Sequence, residues 1–241
     1  MDLFKKQYHR LLICDKEPSY RIKIISISLV FNFKEDLLAQ RKYSVIVFDL
    51  GNVLLPFNYE LAAKKLNKID PGLGLRFWKY YTDNYHLHRG FERGDISEED
   101  FLHKMLEALE YKISREVFFE LYSKIFTVNE DVAGLLPELK KKYMLVLLSN
   151  TNTIHRKYGW QEYGFLKLFD KLILSYEVNA LKPESAIYES VEKFTKKPPG
   201  EHIFIDDVEE YAESARKAGW DAVWFNGYEN LIEEFKKRKI L

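Results

Sequence analysis

A short apolar segment that ends at an aspartate constrains the fold of this chain more than any other feature. Val45–Phe48 consists of four β-forming residues without polar alternation, which is the pattern of a strand buried on both faces. Asp49 follows it directly, and Gly51 and Asn52 come soon after. Open α/β sheets bind ligands at the carboxyl ends of their strands, where a buried carboxylate is costly without a cation or another partner. The sequence therefore predicts a ligand site at Asp49.

Further strands and helices alternate along the second half of the chain. Four apolar β-type segments are predicted as strands, at residues 144–148, 171–175, 202–205 and 222–225. Helices are predicted around them, at residues 132–142, 183–194, 208–218 and 228–239. This alternation favours an α/β fold with a Rossmann-like, mainly parallel sheet and helices on both faces.

The segment after the first strand, from Tyr59 to about Val128, shows only helical patterning. One helix start is clear at Ser97, a good N-cap residue, with Asp100 in a capping-box-like position. The segment has roughly seventy residues, much more than a common βα connection, so we predict an inserted small helical-bundle cap. The predicted domains are an N-terminal extension at 1–42, an α/β core at 43–57 and 129–241, and the cap at 58–128.

Composition and charge argue against several classes of function. Lysine plus arginine and aspartate plus glutamate both number 37, so no basic surface for nucleic acid is expected. Ile24–Phe31, an extra strand or a loosely held arm in our interpretation, is far shorter than the ~20 residues of a membrane helix. Cys14 is the only cysteine, which favours a reducing compartment. We expect a cytoplasmic monomer or homodimer that binds neither nucleic acid nor membrane.

Polar residues follow three of the predicted strands. Asp49 follows the first strand, Ser149-Asn150 the second and Asp206-Asp207 the fourth, while Lys182 precedes a helix. In a parallel sheet these strand ends share one edge. There the aspartates can hold a divalent cation, for which magnesium suits the hard oxygen ligands. Ser149 and Lys182 can bind phosphate oxygens, and Asp49 can attack phosphorus to form an aspartyl-phosphate.

Residues 44–241 resemble the haloacid-dehalogenase-like hydrolase superfamily. The resemblance rests on four motifs in order, Phe48-Asp49-Leu50-Gly51-Asn52-Val53-Leu54, Leu148-Ser149-Asn150-Thr151, Leu181-Lys182-Pro183 and Phe204-Ile205-Asp206-Asp207. Gly51-Asn52, together with residues 93–97, is similar to the branch that contains alpha-D-glucose-1-phosphate phosphatase. The resemblance implies a magnesium-dependent phosphomonoester hydrolase that forms an aspartyl-phosphate. Its implied substrate is a small sugar phosphate, with a sugar 1-phosphate as one candidate.

The resemblance also implies roles for the motif residues. Asp49 is the implied nucleophile, and Ser149 and Lys182 are implied to hold the phosphoryl group. The implied magnesium ligands are Asp49, the Gly51 carbonyl, Asp206 and Asp207, the last through water or by bracing the site. The residues expected to bind the substrate are Asn52, Asn150 and Thr151.

Two positions depart from the family pattern. Most phosphatases of the superfamily carry a second aspartate two residues after the nucleophile, as general acid/base, and this chain has Gly51 there. The fourth motif often continues to an asparagine, and this chain has Tyr211 at that position. A glycine cannot transfer protons. An anomeric phosphate is then the easier substrate, because its hemiacetal oxygen leaves with less need for protonation.

Two alternative functions stay open. A metal-independent 2-haloacid dehalogenase-like hydrolase would use Asp49 to attack carbon, and Gly51 permits this. Asp206-Asp207 argues against it, since two adjacent carboxylates repel and favour a nearby cation. A non-catalytic protein that binds a phosphorylated metabolite would fit Gly51 and Tyr211.

The predicted cap carries further polar and aromatic side chains. His86 and His88 are expected at its surface. Aromatic residues at helical spacing are expected in its core, with one or two facing the substrate. These aromatic residues are Phe77, Trp78, Tyr80, Tyr81 and Tyr85.

Overall fold

The computed structural model describes residues 42–241, which are built around a five-stranded parallel sheet. Its strands are β1 (Val45–Phe48), β2 (Met144–Ser149), β3 (Lys171–Leu174), β4 (His202–Asp206) and β5 (Asp221–Trp224). The spatial order β3-β2-β1-β4-β5 places β1 in the middle. All pairings are parallel, so the five strands end at one edge. The predicted strand-like run Ile24–Phe31 lies outside the described residues.

Eleven α-helices lie within residues 42–241. Five follow β1 in the chain: α1 (Glu60–Ile69), α2 (Leu73–Asp83), α3 (Tyr85–Arg93), α4 (Glu98–Ala108) and α5 (Arg115–Ser123). The others are α6 (Glu130–Ala133), α7 (Leu136–Lys140), α8 (Ser175–Val178), α9 (Ser185–Thr195), α10 (Glu209–Lys217) and α11 (Tyr228–Lys237). A π-helix spans His155–Trp160, and 3-10 helices span Gly164–Leu168 and Pro199–Glu201. No helix in this part of the chain is long and apolar enough to cross a membrane.

The middle strand is buried on both faces, as its sequence predicts. Ile46 and Phe48 belong to one hydrophobic cluster, and Val45 and Val47 belong to another, because successive side chains of a strand point to opposite faces. Residues of α6, α7 and α11 complete the first cluster, and residues of α9 and α10 complete the second. Helices therefore cover both faces of the sheet, and the predicted Rossmann-like architecture is confirmed.

The five helices after β1 form an inserted bundle with a hydrophobic core of its own. Members of this core include Leu66, Phe77, Phe91, Phe101 and Phe118. The two connecting segments lie side by side, because the Asn58 N–H donates to the Ile125 carbonyl at 3.0 Å and the Thr127 N–H donates to the Pro56 carbonyl at 2.9 Å. The bundle thus leaves and rejoins the sheet region at one place.

Local sequence signals set several helix ends. At the start of α4, the Ser97 hydroxyl oxygen accepts the Asp100 N–H at 3.1 Å, and this hydroxyl donates to the Asp100 carboxylate at 2.7 Å, as the capping signal predicts. The single helix predicted at 132–142 is wrong, since α6 and α7 divide there. Gly134 forms helix poorly, and Pro137 lacks an N–H for an intrahelical hydrogen bond, so the segment forms two short helices.

Candidate active site

The carboxyl edge of the sheet brings the ends of β1 and β4 together. Phe48 lies opposite Leu147 on β2 and opposite Ile205 on β4. The next residue of β1 is Asp49, which is therefore level with Asp206. The Asp49 N–H donates to the Ile205 carbonyl at 2.9 Å, so the backbone at Asp49 is still held by the sheet where its side chain reaches the site.

The ammonium group of Lys182 bridges two buried carboxylates. Its Nζ lies 2.7 Å from Oδ1 of Asp49 and 2.6 Å from Oδ2 of Asp206. The Lys182 side chain is 1% exposed, and that of Asp206 is fully buried. Removing one partner of such a buried pair would leave an uncompensated charge. The charge-assisted hydrogen bonds between the partners also fix their geometry. The lysine thus holds the Asp49 carboxylate in one orientation.

Burial and mutual contacts shift the pKa values of these three side chains. Burial raises the pKa of Asp49 to about 8. The positive charge of Lys182 acts to lower this pKa, and the negative charge of Asp206 acts to raise it. Burial also raises the pKa of Asp206. For Lys182, burial opposes the charged form, but the carboxylates of Asp206 and Asp49 outweigh it and raise its pKa. The ammonium therefore stays protonated, and the carboxylates would be ionised more readily if a further cation were present.

Three carboxylates form a candidate cation site. Ligand oxygens of Asp49, Asp206 and Asp207 lie within 4.8 Å of one another, and when all three carboxyl groups are ionised a single lysine balances one of their three charges. Hard carboxylate oxygens are the ligands that Mg²⁺ prefers, and its two charges would balance the rest. The Gly51 carbonyl accepts the Val53 N–H at 2.6 Å and keeps a second lone pair for a cation. The residues present therefore fit magnesium.

The end of β2 places its polar residues against Lys182 and the cavity. Ser149 is buried and lines the cavity beside Asp49. The Asn150 Oδ1 accepts the Lys182 N–H at 2.9 Å, and its Nδ2 donates to the Lys182 carbonyl at 3.2 Å. The Thr151 N–H donates to the Ser175 hydroxyl at 2.9 Å. Asn150 and Thr151 line the cavity as well, and Asn150 in addition positions the lysine.

Asn52 reaches back toward the carboxylate cluster. Its φ is +51°, a left-handed conformation in which asparagine is enriched. Its Nδ2 donates to Oδ2 of Asp207 at 3.0 Å. Asn52 lines the cavity, so in this structure the predicted substrate-binding residue also braces Asp207.

An aromatic ring fills the space beside Gly51. A Cβ at position 51 would meet the ring of Phe57 at 3.2 Å and would lie 3.8 Å from Oδ2 of Asp49. The first distance is shorter than ordinary van der Waals contact, so a larger side chain would have to displace the ring. Phe57 thus restricts the space for a side chain at position 51.

Tyr211, the second departure from the family pattern, covers Lys182. Its ring centroid lies 5.2 Å from the lysine Nζ, and the ring of Phe204 lies 5.5 Å away. These are cation–π distances, and the contacts are strongest where water is excluded. The tyrosine therefore adds to the stabilisation of the ammonium by the carboxylates.

A cavity of about 310 Å³ opens beside Asp49. The sheet edge lines one side of it with Asp49, Ser149 and Lys182. The inserted bundle lines the other side with Tyr59, Tyr81, Tyr85, His88, Arg89 and Glu92. The cavity has the size of a site for a small metabolite, and its two walls come from different parts of the chain.

Sequence reasoning missed the polar wall of the bundle. His88 is buried, so the expectation that it lies on the surface is wrong, whereas His86 is exposed as expected. Glu92 is buried too and was not singled out. The signal that could have found both is their spacing of four residues, which puts them on one face of α3. Of the aromatic residues expected in the bundle core, Tyr81 and Tyr85 reach the cavity.

Comparison with known proteins identifies the family. A family model described as haloacid dehalogenase-like hydrolase matches residues 43–219, which is well over half of the chain. The protein belongs to the haloacid dehalogenase-like hydrolases. The resemblance to this superfamily is thereby confirmed, and the likeness to the glucose-1-phosphate branch stays a prediction.

Individual relatives cover most of the chain at low identity. The D-ribitol-5-phosphate phosphatase of Bacteroides thetaiotaomicron is 25% identical over 186 residues, which are 73% of this chain and 88% of that protein. A HAD family enzyme of Bacteroides thetaiotaomicron, solved in complex with magnesium and inorganic phosphate, is 26% identical with a TM-score of 0.65, over 75% of this chain and 93% of that one. The L-2-haloacid dehalogenase of Xanthobacter autotrophicus shares the fold at 22% identity and a TM-score of 0.54, over 83% and 84% of the two chains.

Proposed function

We propose that this protein is a magnesium-dependent phosphomonoester hydrolase that acts on a small sugar phosphate through an aspartyl-phosphate on Asp49. The placement of Asp49 carries the proposal. One of its oxygens lies 2.7 Å from Nζ of Lys182, and its carboxylate belongs to the cluster with Asp206 and Asp207. A carboxylate between an ammonium group and a cation site, at the wall of a cavity, suits attack on a negatively charged phosphoryl group.

Magnesium would be held by residues of the first and fourth motifs. Asp49, Asp206 and the Gly51 carbonyl would be its ligands, with Asp207 acting through water or by bracing the site. When bound, the cation supplies positive charge to the phosphoryl oxygens. The magnesium and phosphate complex of the Bacteroides HAD family enzyme supports this assignment.

The proposed reaction has two displacements at phosphorus. In the first, an Asp49 oxygen bonds to phosphorus while the bond to the leaving oxygen breaks, and Ser149 and Lys182 hold the phosphoryl oxygens. In the second, water attacks phosphorus, the bond to Asp49 breaks, and inorganic phosphate leaves with the carboxylate restored. Because Gly51 has no acid, the leaving oxygen takes its proton from water or from the phosphate group itself.

A small sugar or polyol phosphate is the substrate class that we favour. One curated relative of this chain is a D-ribitol-5-phosphate phosphatase, and a cavity of about 310 Å³ has room for a small sugar or polyol phosphate. A sugar 1-phosphate is a further candidate, because its leaving oxygen needs less help from an acid than an alcohol does.

The proposal also assigns different roles to two parts of the chain. Residues 58–128 would act as a cap that selects the substrate, and residues 43–57 and 129–241 as the core that carries out the chemistry. A monomer or a homodimer, a cytoplasmic location and the lack of a nucleic-acid partner stay predictions from the sequence.

One alternative has an observation in its favour. Position 51 offers no acid, and the ring of Phe57 lies close to it, as a dehalogenase that attacks carbon would tolerate. The cluster of Asp49 with Asp206 and Asp207 favours the phosphatase, since attack on a haloacid needs no divalent cation. Halide release from a 2-haloacid without magnesium would support the dehalogenase.

The test is phosphate release from a panel of sugar, polyol and nucleotide monophosphates, with magnesium and with a chelator. Wild type and Asp49→Asn are compared, the latter keeping the shape of the side chain. We expect magnesium-dependent release by wild type that Asp49→Asn lowers by at least about a thousandfold, because the nucleophile is lost. Absence of magnesium-dependent release from the whole panel would overturn the proposal. Metabolite binding without turnover would then favour the non-catalytic alternative.

A further inference from the structure

The part of the cavity wall that the bundle supplies contains a buried carboxylate that the proposed chemistry does not use. Glu92 lies on α3, is 7% exposed and lines the cavity. His88, one helical turn earlier, is 5% exposed and also lines it. A buried carboxylate in a cavity wall costs free energy unless its oxygens find donors. What occupies those oxygens therefore bears on what the cavity accepts.

A chain of hydrogen bonds orients this carboxylate from behind. The Tyr122 hydroxyl lies 2.9 Å from Nδ1 of His88, and Nε2 of His88 lies 3.1 Å from Oε1 of Glu92. If Tyr122 donates to Nδ1, the proton of the neutral imidazole is on Nε2 and points to Glu92. The histidine thus presents a fixed carboxylate to the cavity, in the way that outer contacts orient functional groups elsewhere.

Arg89 supplies the opposite charge on the same wall. Its NH1 lies 3.4 Å from Oε2 of Glu92, and its NH2 donates to the Lys182 carbonyl at 3.1 Å. This second contact ties the wall to the residue that bridges Asp49 and Asp206. The carboxylate of Glu92 and the guanidinium of Arg89 thus bring opposite charges to the same wall.

The wall has hydrogen-bonding capacity left for a ligand. A carboxylate offers about four acceptor positions, and His88 and Arg89 use one on each of the two Glu92 oxygens. The Arg89 guanidinium is more fully used, because it also hydrogen-bonds the side chains of Tyr85 and Tyr211. An acceptor beside a donor matches a hydroxyl group, which donates and accepts at once. A second anionic group on the ligand would be repelled by Glu92. The rings of Tyr81 and Tyr85, at the same cavity, offer apolar surface to the carbon-bound hydrogens between hydroxyls.

We propose that Glu92 selects an uncharged, hydroxyl-bearing substrate by accepting a hydrogen bond from a hydroxyl of its non-phosphate part. Arg89 donates to the same part of the substrate, and His88 and Tyr122 are positioning residues that act through Glu92. The inference rests on the proposed phosphatase function and names the part of the substrate that the bundle reads.

The test compares two esters that share the phosphoryl group and differ in the rest. D-ribitol 5-phosphate carries hydroxyls, and p-nitrophenyl phosphate carries none. For Glu92→Gln we expect kcat/KM for the polyol ester to fall about 10- to 100-fold, the range for a hydrogen bond to a charged group, and kcat/KM for the nitrophenyl ester to change less than about threefold. Glu107→Gln, an exposed position on α4, is the matched control and should change neither. Equal losses on both esters, or no loss on either, would overturn the inference.

One further variant and one further substrate separate a positioning role from a packing role. Tyr122→Phe removes the hydroxyl and keeps the ring, so we expect a smaller, about 3- to 10-fold, loss that is again confined to the polyol ester. Glu92→Gln should also raise the turnover of phosphoglycolate relative to the polyol ester, since the repulsion of its carboxylate is removed. A Tyr122→Phe loss shared by both esters, or an unchanged preference against phosphoglycolate, would contradict these roles.

A binding measurement keeps this inference separate from the proposed function. If wild type hydrolyses neither ester, the phosphatase proposal fails, and calorimetry with D-ribitol 5-phosphate and with inorganic phosphate still tests Glu92. Weaker binding of the polyol ester alone by Glu92→Gln would support the inference. Equal binding by the variant and wild type would overturn it.

Discussion

The Nζ atom of Lys182 lies 2.7 Å from Oδ1 of Asp49, and both side chains are buried. This contact places a positive charge where a phosphoryl group would meet the carboxylate, and it also compensates a charge that the protein buries. Loss of the lysine should therefore affect activity and stability together.

For Lys182→Met, which keeps the length of the side chain, we expect kcat/KM to fall at least about a hundredfold. The free energy of unfolding should fall by about 3–5 kcal/mol, because the buried carboxylates lose their partner. Phosphate release and urea unfolding measure the two effects. Lys217→Met, at an exposed position, is the control. An active and equally stable Lys182→Met protein would show that the ion pair serves neither role.

Magnesium should stabilise the folded protein through the carboxylate cluster. Asp49, Asp206 and Asp207 share the site with a single lysine, so a divalent cation relieves their repulsion. At a hundred times its Kd, the cation should add about 2.7 kcal/mol, or roughly 5–10 °C in Tm. Thermal unfolding with magnesium chloride, and with sodium chloride at equal ionic strength, measures this. Asp206→Asn should reduce the shift, and an undiminished shift in that variant would place the cation elsewhere.

A buried histidine should make the protein less stable in mild acid. The ring of His155 is buried and stacks on the ring of Tyr122. Burial lowers the pKa of His155 from its ordinary 6.5 to about 3. Between these values the unfolded chain binds a proton that the folded chain does not, so stability falls as pH falls below about 6.5. From pH 7 to pH 5.5 this group alone should remove about 1 kcal/mol.

Urea unfolding at pH 7 and at pH 5.5 tests whether His155 causes this loss of stability. The difference between pH 7 and pH 5.5 should shrink by about 1 kcal/mol in His155→Gln and stay unchanged in His86→Gln, because His86 is exposed. An identical pH dependence in wild type and His155→Gln would mean that His155 can take up a proton in the folded protein.

The limited space beside Gly51 leads to a prediction about the general acid that this position lacks. Gly51→Asp alone should provide a poorly placed acid, because the ring of Phe57 lies 3.2 Å from the new Cβ position and must shift to admit the side chain. In Gly51→Asp/Phe57→Ala the carboxyl group has room, and general acid catalysis should raise the turnover of a sugar 6-phosphate at least about tenfold over Phe57→Ala. p-Nitrophenyl phosphate, whose leaving group needs no proton, is the control substrate. An equal gain on both substrates, or no gain on the sugar ester, would show that proton donation is not what position 51 limits.

The sheet was predictable because its strands carry their signal locally. Val45–Phe48 has no polar alternation, and a strand buried on both faces needs none. The approach of Asp49 to Asp206 also follows from the sequence, since parallel strands end at one edge. The bridge through Lys182 does not follow from it, because this residue lies in a loop whose path depends on contacts such as those of Asn150.

The polar wall of the bundle was harder to predict. His88 and Glu92 look like residues of a solvated helix face, and burial is decided by the packing of α3 against the sheet region. Ser175, which was not singled out, shows how specific that packing is, since its hydroxyl donates to the Glu92 carbonyl at 2.6 Å. The single helix predicted at 132–142 was wrong for a simpler reason. The prediction rested on hydrophobic periodicity and gave too little weight to Gly134 and Pro137.

The central claim is that Asp49 becomes phosphorylated during turnover. Borohydride reduces an aspartyl-phosphate to homoserine, so the protein can be quenched with it during steady-state hydrolysis and its peptides weighed by mass spectrometry. We expect homoserine at position 49, dependent on magnesium and substrate and absent from Asp49→Asn. Phosphate release by wild type without modification at position 49, or with modification at another aspartate, would contradict the proposed mechanism.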